Sequence, residues 1–78
     1  MSETLFDQLV QASELSALFA RPTLERALKR ANIDPVRMSR ADLAKALPEI
    51  RRSISPFLTA RLAVVMANVE SLTRKPAA

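Results

Sequence analysis

The side chains of this sequence that could take part in chemistry are hydroxyls, carboxylates, amines and guanidiniums, because it contains no His, Cys, Tyr or Trp. General-base and thiol chemistry therefore lack their ordinary carriers. Gly is absent as well, so no Gly-rich loop can cradle a phosphate. No two carboxylates stand at a spacing that assigns them acid and base roles. The hydroxyls of Ser13, Ser39, Ser53 and Ser55 sit where helix caps or surface residues belong. A metal would have to be held by carboxylates alone, without imidazole or thiolate. The expectation is a protein that is not an enzyme, with no cofactor, no metal and no small-molecule substrate.

Charge is the next candidate for function. Net charge is +4, and it is unevenly spread. Residues 1–20 carry Glu3, Asp7 and Glu14 and no base, whereas residues 21–52 carry nine Lys or Arg against Glu25, Asp34, Asp42 and Glu49. Arg26, Lys29 and Arg30, then Arg37 and Arg40, then Lys45, Arg51 and Arg52 form a candidate basic patch able to neutralise phosphates in a salt-sensitive, sequence-independent way. No aromatic lies between Phe19 and Phe57, which leaves that middle without a stacking platform for single strands. A helix-turn-helix reading fails on the connection from Asn32 to Ser39, which is long and contains Pro35. The acidic first segment lying on the basic middle, within one chain or between copies, explains the asymmetry equally well. Nucleic-acid binding is thus the alternative function.

The apolar residues carry the stronger reading. Between Ser55 and Thr73, Leu58, Leu62, Val65, Met66, Val69 and Leu72 recur at the i, i+3, i+4, i+7 spacing of a buried helix face. Phe57, Ala60, Val64 and Ala67 form a second, thinner apolar line on the opposite side. In the first segment Leu5, Phe6, Leu9 and Val10 share a face, but Leu15, Leu18 and Phe19 point away from it on a straight helix. Either the chain breaks at Ser13 or one continuous helix is covered on two sides. A chain of this length has too few helices to bury two faces of each, so Leu15, Leu18, Phe19, Phe57 and Val64 are the candidate protein interface. The expected partner is protein: a second copy in a two-fold dimer, or a larger protein for which this chain is an adaptor.

The elements that position these residues follow from their punctuation. Ala, Leu, Arg and Glu, strong helix formers, are abundant, and 25 large apolar side chains supply one core. The chain reads as all-α: a compact orthogonal bundle of about five helices with a long central C-terminal helix. Ser2, Glu3 and Thr4 open the first helix. Arg21 and Pro22 are expected to close that region, with Pro22 in the first turn of a second helix reaching about Ala31. Leu24, Ala27, Leu28 and Ala31 form its inner face, and Glu25 and Lys29 an i, i+4 pair. Asn32 ends it in the left-handed conformation, with Ile33 folding back onto the core. Asp34 and Pro35 begin a short turn through Met38, and Ser39 with Asp42 forms a capping box for the third helix. Leu43, Leu47, Ile50 and Ile54 continue one stripe past Pro48, where a break or kink is expected. Ser55 then caps, and Pro56 starts, the last helix. Residues 1–73 read as one domain and 74–78 as a disordered basic tail.

The order of a short helix, Ile33 and Asp34, a turn, Ser39 with Asp42 and Leu43, and a last long helix loosely resembles the sterile alpha motif over about half of the chain. That resemblance implies a small helical interaction domain. The Gly-containing turn and the aromatics usual in the family are lacking, so it assigns no binding residues. Acids near the start, where a secretory leader has bases, and apolar runs far short of a bilayer's thickness predict a cytoplasmic protein that crosses no membrane.

Overall fold

A computed structural model describes residues 4–74 of the chain. Ser2 and Glu3 at the expected start of the first helix, and residues 75–78 of the expected tail, lie outside the described residues. The architecture is all-α, with four helices and no strand among the described residues: α1 (Leu5–Ala12), α2 (Ala17–Arg30), α3 (Arg40–Ile54) and α4 (Leu62–Leu72). A radius of gyration of 11.5 Å is that of a closely packed chain of this length. Four helices rather than about five result from two prolines, Pro22 and Pro48, that do not divide the chain where local rules place the breaks.

Each helix packs on two others: α2 on α1 and α3, and α4 on α3 and α1. This arrangement surrounds one core, and α4, the expected long central helix, is shorter than α2 and α3. Leu9, Leu24, Leu28, Leu43, Ile50, Ile54, Val65 and Val69 are fully buried in that core. Leu58, Leu62, Met66 and Leu72 pack partly buried against it, so the inward stripe of the last segment is as its spacing predicts.

Thr4 caps α1, its hydroxyl oxygen accepting from the Asp7 N–H at 3.1 Å while the Asp7 carboxylate accepts from the Thr4 N–H at 3.3 Å. Of the two alternatives for the first segment, the chain takes the break at Ser13. Ser13 is the C-cap of α1 rather than the N-cap of a second helix. It is fully buried; its hydroxyl donates to the Val10 carbonyl at 2.7 Å and accepts from the Leu15 N–H at 3.3 Å. Glu14 then takes a left-handed φ of 61°, turning the chain into α2. The phase change between Leu9 and Leu18 is therefore the geometry of a corner.

Pro22 lies inside α2 and Pro48 inside α3, so the break expected at Pro22 is absent, and of the break or kink expected at Pro48 the break is absent. A proline within a helix costs about 3 kcal/mol, and each large apolar side chain fully buried returns about 1.5–3. The α2 stripe of Ala20, Leu24, Ala27 and Leu28, and the α3 stripe of Leu43, Ala46, Ile50 and Ile54, both run past their proline and are fully buried. Both prolines are exposed, as are Leu18 and Ala44, whose carbonyls lose their partners, so the defect falls on the solvated side of each helix.

Ser55 and Pro56 stop α3 instead of starting α4. Ser55 is the C-cap of α3, its hydroxyl donates to the Arg52 carbonyl at 3.3 Å, and turns through Phe57 and Leu58 follow. Proline just past a C-cap cannot continue a helix, and Arg51 and Arg52 suit the negative end of the α3 dipole. A serine and proline pair serves either end of a helix, and the buried Ile54 in front of it decides which.

Two local readings hold. Ser39 and Asp42 form the capping box of α3, each bond at 3.1 Å. Asn32 is left-handed at φ 61°, its N–H donating to the Lys29 carbonyl at 2.9 Å, and the Ile33 N–H donates to the Leu28 carbonyl at 2.9 Å. With Ile33 buried in the core beside Leu28, this is a complete Schellman motif. Asn32→Gly should leave stability unchanged or slightly raised. Asn32→Val should lower it by about 1–2 kcal/mol, because a branched side chain resists the left-handed region. Urea unfolding of the pair checks this, and equal midpoints for the two would contradict it.

Candidate interaction surface

The corner at Ser13 and the turn after α3 are drawn together by two contacts. The Arg61 guanidinium donates to the Glu14 carboxylate at 3.1 and 2.7 Å. Phe19, early in α2, stacks on Phe57 with ring centroids 6.4 Å apart and planes at 27°. Offset stacking at that separation adds about 0.5–1.5 kcal/mol beyond the area buried. The pair nevertheless stays largely open, with Phe19 58% and Phe57 54% exposed, and Leu18 beside it 84% exposed. Val64, one turn after Arg61, is 46% exposed, and Ala60, Ala63 and Ala67 are exposed as well.

Of the five candidate interface residues, Leu18, Phe19, Phe57 and Val64 thus lie on the surface, whereas Leu15 is half-buried and packs against the core. Val36, 83% exposed in the turn before Met38, is an additional outward apolar residue that sequence reasoning passed over. No periodic pattern marks it.

The basic residues divide. Arg26, Lys29, Arg30, Arg37, Arg51 and Arg52 are exposed, as the sequence suggests. Arg40 is half-buried and donates to the Leu72 carbonyl at 2.6 Å, so it serves the end of α4 rather than a basic patch. Among the described residues four ion pairs form: Asp7–Arg21 at 3.0 Å, Glu14–Arg61 at 2.7 Å, Glu49–Arg52 at 3.8 Å and Glu70–Arg74 at 3.8 Å. The expected Glu25–Lys29 pair is not among them. The charge asymmetry is partly resolved inside the chain, since both acids of the α1 region that the structure describes hold arginines from later segments.

Those two pairs contribute to the acid response of the protein. Hydrogen bonding from Arg21, then from the Thr4 N–H, holds the Asp7 carboxyl below the usual carboxylate range. Arg61 does the same for Glu14. A carboxyl whose folded value is depressed contributes stability above its unfolded value and loses it as pH falls through the folded one. Asp7→Asn with Glu14→Gln should therefore flatten the decline in stability below about pH 4. The effect is small and shrinks with salt because both pairs are exposed. Melting curves across acid pH at low salt check this; parallel declines in wild type and variant would contradict it.

Two clefts flank α2. The larger, of 470 Å³, is lined by Phe6, Asp7, Arg21, Glu25, Lys29 and Val36 among others. The Arg21 guanidinium stands 5.7 Å from the Phe6 ring centroid there, and its pairing with Asp7 leaves a wall of mixed charge. The smaller, of 190 Å³, is lined by Thr23, Arg26, Arg30, Ser53 and Phe57. Phe57 therefore joins the stacked pair to two arginines. Aromatic and basic groups that the sequence keeps apart are neighbours in the fold, because the end of α3 lies against α2.

Among the described residues, no three carboxylates gather closely enough to hold a metal ion. No described helix is long and apolar enough to cross a membrane. No family model, curated protein or solved structure matches this chain.

Proposed function

We propose that the protein is a small interaction module without catalytic activity, which binds another polypeptide through the surface carrying Leu18, Phe19, Phe57 and Val64. The observation that carries this reading is the stacked, half-exposed Phe19–Phe57 pair. A monomer with a filled core gains nothing in solubility from two aromatic rings and a Leu held in water, whereas such a cluster is a ready anchor for a partner. Loss of an aromatic anchor costs about 2 kcal/mol of binding, more than tenfold in affinity.

Two measurements on the full chain test it. Light scattering coupled to size-exclusion chromatography, across protein concentration, reads self-association; selection from a displayed peptide library reads binding to other polypeptides. Association of either kind should fall at least tenfold in Leu18→Ser/Phe19→Ser. A mass that stays at 8.6 kDa up to millimolar concentration, together with no enriched peptide, would remove the reading.

The alternative is a small basic nucleic-acid-binding regulator. Its support is the cleft that places Arg26 and Arg30 beside Phe57. Titration with duplex and single-stranded DNA at two salt concentrations tests it, and absence of binding at low salt eliminates it.

A further inference from the structure

Phe19, Thr23, Arg26 and Arg30 fall on one stripe of α2, at spacings of four, three and four residues. At 1.5 Å per residue the stripe is about 16 Å long, or three helical turns. One end is aromatic, because Phe19 stacks there on Phe57. The other end is basic, because Arg26 and Arg30 stand one turn apart and line a cleft with Ser53 and Phe57. Neither arginine joins an ion pair among the described residues.

We propose that this stripe takes an acidic amphipathic segment of a different protein, with one or two large apolar side chains on the Phe19–Phe57 pair and two carboxylates, spaced one helical turn apart, on Arg26 and Arg30. The proposal rests on the interaction-module reading above and names the partner's chemistry. Charge complementarity selects it. Arg guanidiniums bind carboxylates bidentately, and helix-in-groove recognition reads anchors at this spacing.

A second copy is a poor occupant because, among the described residues, every acid of the chain except Glu25 is already engaged. Among the described residues Asp7, Glu14, Glu49 and Glu70 hold arginines. Asp34 and Asp42 accept backbone N–H groups. Glu25 lines the other cleft. Two copies joined through this stripe would bring four arginines together with no carboxylate between them, and like charges across an interface oppose docking. A nucleic-acid strand fits less well. The two rings stack on each other, which removes one face of each from base stacking and leaves edges and single faces suited to aliphatic side chains.

The test is selection of random segments of about 15 residues, about four helical turns, displayed and panned on the 78-residue chain. Wild type should enrich peptides with two acids three or four residues apart and a Leu, Ile, Met or Phe about two turns away. Affinity for a selected peptide should fall at least tenfold in Arg26→Glu/Arg30→Glu, and that variant should instead enrich peptides bearing Lys or Arg at the same spacing. Both arginines are exposed, so the variant keeps its fold, which its melting curve verifies. Neutral or basic peptides selected by wild type, or a charge-reversed variant with unchanged preference, would overturn the acidic partner while leaving the interaction reading intact, provided Phe19→Ser still abolishes binding. Dimerisation of wild type that Phe57→Ser abolishes would overturn it in favour of a second copy. Single-stranded DNA that binds, and displaces the selected peptide, would overturn it in favour of nucleic acid. No enriched peptide and no self-association would overturn both readings together.

Discussion

Val65→Asp should abolish the cooperative thermal transition, while Val64→Asp, one residue earlier in α4, should leave it in place. Val65 is fully buried, and Val64 is 46% exposed. A carboxyl without partners in a closed apolar core costs about 2–7 kcal/mol even when it takes up a proton to avoid the charge, and the packing of the valine is lost in addition. Total stability is about 5–15 kcal/mol for small proteins, and a 78-residue domain belongs near the lower end. The substitution thus removes most or all of the folding free energy. At position 64 the same carboxylate reaches water, and surface substitutions stay within about 0.5 kcal/mol. Leu62→Ala should fall between the two, because Leu62 opens α4 half-buried instead of occupying the middle of a longer helix. Circular dichroism melts of the three variants check the order. A near-native melt for Val65→Asp would mean that the inward face of α4 is wrongly assigned.

What could be read before folding, and what could not, divides by the range of the physics involved. The Ser39–Asp42 box and the left-handed Asn32 complete themselves within a turn or two, and their residue types suffice to predict them. The inward stripe of α4 follows from spacing alone. The prolines mislead because their penalty is local while its compensation is not: Pro48 is tolerated in α3 because Ile50 and Ile54 meet the other helices in the core. The same limit governs the candidate surface. Exposure of Leu18, Phe19, Phe57 and Val64 follows from their place off the main stripes, but the Phe19–Phe57 stack and its arginine neighbours depend on how α3 returns to α2. Glu14 and Arg61, which tie that end together, belong to no motif at all.

Arg40 illustrates the point most sharply, and Arg40→Met should lower stability by about 1.5–3 kcal/mol, on the order of 10 °C in melting temperature for a domain of this size. By local rules Arg40 is badly placed. It is the first residue of α3, where the positive end of the helix dipole disfavours a cation by about 0.3–1 kcal/mol. The compensation lies 32 residues away, where its guanidinium donates to the Leu72 carbonyl at 2.6 Å. Leu72 is the last residue of α4, so this carbonyl has no partner within the helix, and the cation also sits at the negative end of the α4 dipole. One side chain thereby closes α4 and pins its end to the start of α3. Methionine preserves much of the half-buried stem and removes the charge and the donor, which separates the hydrogen bond from packing. Arg26→Met, at an exposed position in no ion pair among the described residues, is the control and should change stability by no more than about 0.5 kcal/mol. Equal melting temperatures for the two variants would mean that the contact contributes nothing and that Arg40 belongs with the exposed basic residues after all. A drop confined to Arg40→Met, with faster hydrogen exchange at the C-terminal end of α4, would confirm its role as a long-range cap.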